Sequence, residues 1–67
     1  MEFKLKAEFI ELDNLLKVLN FVVSGAEAKQ KIQAGLVKVN NEVELRVRRK
    51  LRSKDCIEFD SQKVGIL

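Results

Sequence analysis

Leu12, Leu15, Leu16 and Leu19 fall at i, i+3, i+4 and i+7, and this stripe does most to limit what a chain of 67 residues can fold into. That spacing puts all four leucines on one face of a helix, predicted to run from about Glu11 to Leu19. Glu11 and Asp13 sit in its first turn, where negative charge suits the helix dipole. Asn20 tolerates the left-handed backbone of a helix stop. Ser24-Gly25-Ala26-Glu27 then reads as a capping box, in which the Ser oxygen and the Glu carboxylate serve the first free N–H groups. The second helix it opens should reach about Ala34. Ala28 and Ile32 face inward, Lys29, Gln30, Lys31 and Gln33 cover the outside, and Gly35 ends it.

After Gly35 the period changes from helical to alternating. Val37-Lys38-Val39 reads as a strand, and Asn40-Asn41 supplies the positive φ angles of a tight hairpin turn. Glu42 to Leu45 returns from it. Ser53-Lys54-Asp55 is a polar turn, Cys56 to Phe59 a strand, Asp60-Ser61-Gln62 a turn and Lys63 to Leu67 a last strand. At the other end, Glu2 to Lys6 alternates with Phe3 and Leu5 on one face, as a short strand does. Residues 1–67 therefore read as a single α+β domain, with two helices packed on a small, mainly antiparallel sheet. The four phenylalanines, Phe3, Phe9, Phe21 and Phe59, stand in apolar surroundings and are expected in the core.

Several chemistries are poorly served by this composition. There is no His, and Cys56 is the sole cysteine, so neither a general base, an activated thiol nor a zinc site is readily built. Glu42 and Glu44 share one side of their strand and read as surface charge. No phosphate-binding glycine motif occurs. No cofactor and no enzyme activity are expected. The first residues alternate and lack the apolar stretch of a signal peptide, and no segment has the length of a membrane span. A cytoplasmic protein without a membrane partner is the expectation.

Charge is unevenly placed. Arg46 to Lys54 reads R-V-R-R-K-L-R-S-K and carries six of the thirteen basic residues with no acid. In extended chain Arg46, Arg48, Lys50 and Arg52 form a ladder on one side at about 6.6 Å intervals. Val47 and Leu51 then point the other way, with Arg49 between them. That interval approaches the phosphate repeat of one nucleic-acid strand, and guanidinium groups bind phosphate in bidentate fashion. A solvated edge strand, an anionic lipid surface or an acidic protein partner also fits a basic stretch. Lys29 and Lys31 add charge to the second helix, whose first turn offers N–H groups to a phosphate, although Glu27 opposes that seat. With few aromatics, recognition of RNA by backbone and shape is favoured over base stacking.

Four stretches taken in order carry a family likeness: Glu11-Leu12-Asp13-Asn14-Leu15-Leu16, Ser24 to Lys29, Ile32 to Asn41, and Lys54-Asp55-Cys56-Ile57. The set resembles the S-four RNA-binding domain, named after a small-subunit ribosomal protein. That domain is found also in pseudouridine synthases, bacterial tyrosyl-tRNA synthetases and small ribosome-associated heat-shock proteins. The likeness covers about residues 11–59 and is greatest to free-standing bacterial members. It implies an alpha-L motif of two helices and a hairpin. It also implies a role in translation, and structured RNA as partner, ribosomal or transfer RNA, with the ribosome as a possible setting. RNA-facing positions fall on Ser24, Lys29 and Lys38. The family usually has Arg where this chain has Glu11 and Gly25, so two phosphate contacts are missing. The full set of expected RNA-binding residues is Ser24, Lys29, Lys31, Lys38, Arg46, Arg48, Arg49, Lys50 and Arg52, with the ladder replacing the two lost arginines.

Overall fold

The computed structural model describes residues 1–67. Its elements, in chain order, are β1 (Glu2–Phe3), β2 (Ile10–Glu11), α1 (Leu12–Val18), α2 (Gly25–Gln33), β3 (Val37–Val39), β4 (Glu42–Val43), β5 (Lys50–Leu51), β6 (Cys56–Phe59) and β7 (Gln62–Ile66). No helix is long and apolar enough to cross a membrane.

Both helices form where the leucine stripe and the capping box put them. Ser24 is extended and its Oγ accepts from the Glu27 N–H at 3.1 Å. The Glu27 carboxylate reaches back to the Val23 N–H at 2.7 Å, one residue earlier than the usual box. Asn20 and Gly35 end the two helices at φ +61° and +80°. Leu12, Leu15, Leu16, Ala28 and Ile32 are fully buried. They pack against the inner faces of β3, β6 and β7, which contribute Val37, Val39, Ile57, Val64 and Ile66.

Five strands form one sheet in the order β1-β7-β6-β3-β4, and β2 pairs with β5 in a separate antiparallel ribbon. Within the five-stranded sheet all pairs are antiparallel except β1 with β7. Two tight hairpins set the registers. Asn40 and Asn41 turn β3 into β4, and Asp60 and Ser61 turn β6 into β7, all four at positive φ as a two-residue hairpin loop demands. The Asn40 side chain also bonds Asp55 Oδ1 at 3.1 Å and the Cys56 N–H at 2.9 Å, tying the hairpin to the chain entering β6.

The structure departs from the sequence expectations at four places. The first strand stops at Phe3 instead of reaching Lys6: Phe3 pairs with Ile66, the last residue of β7, and its carbonyl accepts from the Leu67 N–H. The chain pairs again at Ile10–Glu11, a strand not expected from the sequence. The stretch Arg46 to Arg52 is not one extended ladder: it turns at Val47–Arg48 and only Lys50–Leu51 is strand. Of the phenylalanines, Phe3, Phe21 and Phe59 pack on the core, the last two with ring centroids 5.8 Å apart, whereas Phe9 stays outside it.

Candidate nucleic-acid interface

A buried carboxylate shapes the basic segment. Glu44 is 7% exposed, although the flanking Val43 and Leu45 face solvent. An ionised carboxylate tolerates burial only when its oxygens are bonded. Here Oε2 accepts from the Arg46 N–H at 3.0 Å and from Arg46 Nε at 2.9 Å. Oε1 accepts from Arg46 Nη2 at 3.1 Å and Arg49 Nη1 at 2.7 Å. Glu42 and Glu44 were expected to be surface charge alike; Glu44 is instead the anchor of two arginines.

Helix α1 holds the same turn from the other side. Its N-cap residue, Glu11, makes no side-chain capping bond. The Leu12 N–H donates to the Arg49 carbonyl at 2.9 Å and the Asp13 N–H to the Val47 carbonyl at 3.1 Å. Orphan donors at a helix start must be satisfied somewhere. Here they draw in the backbone between Val47 and Arg49, and the chain curls where the residue spacing alone suggested a straight strand.

The curl splits the expected ladder into three parts. Arg46 and Arg49 are paired to Glu44, yet the Arg46 side chain remains 72% exposed. Arg48 leans toward α2, where it shares a depression with Asp13, Gly25, Ala26 and Lys29. Lys50 and Arg52 lie over the ring of Phe9. Arg46, Arg48, Arg49 and Lys50 together line an open concavity with no apolar residue in its wall. The β3–β4 hairpin borders a neighbouring depression through Asn40 and Val43, shared with Arg46 and Arg49.

The remaining expected residues are placed differently. Ser24 is exposed, but its hydroxyl is engaged in capping α2. Lys38 points outward from β3, opposite Val43 and Glu58 in register. Lys31 lies around α2 from Lys29, in a hollow with Phe21, Glu27 and Leu36, and does not join the arginines. A step of two residues turns a helix by about 200°, which separates Lys29 from Lys31 on α2. The positions that carry Arg in the family are informative too. Glu11 stands opposite Lys50 across the ribbon, and Gly25 has open space around it.

The arginine cradle lowers the Glu44 pKa from 4.5 to about 2. The Arg46 side-chain bonds are the main cause, opposed by burial and helped by Arg49. A depressed carboxylate stabilises the fold above its unfolded pKa, and that contribution disappears as pH falls through the folded value. The wild-type protein should therefore exceed Glu44→Gln in stability at pH 7, with the gap closing between pH 4.5 and 2. Urea melts of both proteins across that range test this; a gap independent of pH would mean that Glu44 is not held as an ion by the cradle. At Asp55 burial pushes the pKa up, but the Arg52 N–H and the Asn40 amide outweigh it, and the net shift is downward.

The model of the S4 domain matches residues 3–67, almost the whole chain. This chain belongs to the S4 domain family. Among solved structures, this S4 domain is similar to YbcJ from E. coli, with a TM-score of 0.73 and 37% identity. The match covers 98% of this chain and 85% of that one. The solution structure of YbcJ is described as revealing an αL motif involved in RNA binding. No curated protein sequence matches. This S4 domain has an α+β architecture in which α1, α2 and the β3–β4 hairpin border the arginine turn.

Proposed function

We propose that this S4 domain binds structured RNA, ribosomal or transfer RNA, through phosphate contacts and without catalysis, in the bacterial cytoplasm as part of translation. The observation that carries the reading is the gathering of Lys29, Arg46, Arg48, Arg49 and Lys50 around one turn, against the single buried carboxylate of Glu44. Family membership and the RNA-binding description of YbcJ support it. Arg46 and Arg49 meet the RNA already oriented by Glu44, so less side-chain entropy is lost on binding than for free arginines. Lys29 and Arg48 extend the surface to the start of α2. The concavity is wide and open, which suits the backbone of a helical RNA better than a small substrate.

Phosphate contacts make affinity fall linearly with the logarithm of salt. With about five phosphates neutralised, the slope should be roughly −3.5 at single-strand charge density and −4.5 at duplex density. A hairpin should outcompete an unstructured strand of equal length, and exchanging paired bases while keeping the pairing should change little. Fluorescence anisotropy with both RNAs over a salt series measures both effects. A flat salt response, or tight binding to one unpaired sequence only, would remove the basis of this reading.

A further inference from the structure

Phe9 is the one aromatic ring that the core does not use. In the β2–β5 ribbon Ile10 pairs with Leu51 and Glu11 with Lys50, which puts Phe9 and Arg52 next in register. Leu51 is fully buried and Ile10 packs on the core. Phe9, Glu11, Lys50 and Arg52 therefore share the outer side of the ribbon. Lys50 Nζ lies 4.8 Å from the ring centroid and Arg52 Cζ 5.7 Å. Phe9 also lines an open apolar groove of about 350 Å³ with Phe3, Leu5, Ile10 and Val18. Lys4 and Lys6 stand exposed on the rim of that groove.

These features select among occupants. An aliphatic ligand would fill the groove and make no use of the cations. A bare anion would meet the cations and leave the ring idle. An unpaired nucleotide uses both: its base has a flat face for Phe9 and its phosphate a charge for Lys50 and Arg52. Lys50 also lines the arginine concavity, so the two sites are continuous. We infer that Phe9, Lys50 and Arg52 form a subsite for one unpaired nucleotide flanking the helical RNA held on the arginine turn. The inference rests on the RNA-binding reading and adds a feature of the RNA that the reading does not contain.

Magnitudes favour the exchange. An exposed cation–π contact is worth roughly a 2- to 5-fold factor. Stacking one base on an aromatic ring is worth roughly 5- to 100-fold. The two displaced cations also move onto phosphate and are not left unpaired.

The test uses one RNA hairpin in three forms: blunt, with a one-nucleotide adenosine overhang, and with an abasic overhang carrying the same phosphate. Overhangs are placed at the 5′ end and, separately, at the 3′ end. At one of the two ends the wild-type protein should bind the adenosine form about tenfold more tightly than the abasic form. Phe9→Leu should abolish that ratio and Phe9→Trp should keep it, with blunt-hairpin affinity unchanged in both. Equal affinities for adenosine and abasic forms at both ends overturn the subsite, and leave an acidic amphipathic peptide as the better occupant of the groove. Phe9→Leu weakening all three forms alike also overturns it, because that pattern marks a structural role. A wild-type protein that fails to bind the blunt hairpin refutes the RNA-binding reading itself, a result distinct from the other two.

Discussion

Replacing Lys29, Arg48, Lys50 and Arg52 together with Ala should lower RNA affinity by about 100-fold or more at 0.1 M salt while the protein stays folded. All four side chains are exposed and none bonds the Glu44 carboxylate. Exposed charges of this kind contribute about 0–1 kcal/mol each to stability, and mutual repulsion in a basic cluster reduces even that. Arg52 shapes the following turn only through its backbone, whose N–H donates to the Asp55 carboxylate and whose carbonyl accepts from the Asp55 N–H, and Ala retains both. Removing four phosphate contacts should also flatten the salt dependence by about three in slope. Anisotropy titrations, with circular dichroism to verify folding, give the answer. A folded variant that keeps wild-type affinity would show that these four cations are not where RNA is held.

Leu16→Ala should cost about 2–5 kcal/mol of stability, because Leu16 is fully buried at the meeting of both helices with the sheet and its loss opens a cavity. Ser24→Ala removes a single capping bond to the Glu27 N–H and should cost about 1 kcal/mol. In a domain this small the first change is a large share of the total stability, and the second is tolerable. Denaturant melts that gave equal losses would contradict the burial of the leucine stripe.

Most of the helical half of the fold could be read from residues alone. The leucine stripe, Asn20, the Ser24 box and Gly35 are local signals, each acting within one helical turn, and each forms as expected. The Asn40-Asn41 turn is equally local. What escaped was decided by partners distant in sequence. The parallel pairing of β1 depends on where β7 ends. The basic segment is bent by Glu44 and by the N–H groups of Leu12 and Asp13, and alternation within the segment carries no trace of either. Glu44 itself was hidden by its neighbours, since Val43 and Leu45 suggested the opposite facing for this strand. For Phe9 the signal was present: Phe9-Ile10-Glu11 alternates, and Ile10 is the inward member. The number of cations near the site was legible in composition, whereas their grouping into a Glu44 pair, a Lys29–Arg48 pair and a Phe9 pair was not.

The two backbone bonds that fasten the arginine turn to α1 join residues more than half the chain apart in sequence. Closing so long a loop costs entropy, which the packed core of helices and sheet offsets in the folded chain. A nascent or partly unfolded chain therefore carries all thirteen basic residues but not the surface that arranges them. The unfolded chain, with ten acidic residues among the thirteen basic ones, has only a weak net positive charge, and the arrangement of the cations arrives with the folded turn. An RNA that prefers the finished surface adds to its stability by mass action, in proportion to the logarithm of its concentration over its dissociation constant. For a domain with so small a core, an RNA bound as proposed would serve as part of the scaffold as well as its ligand.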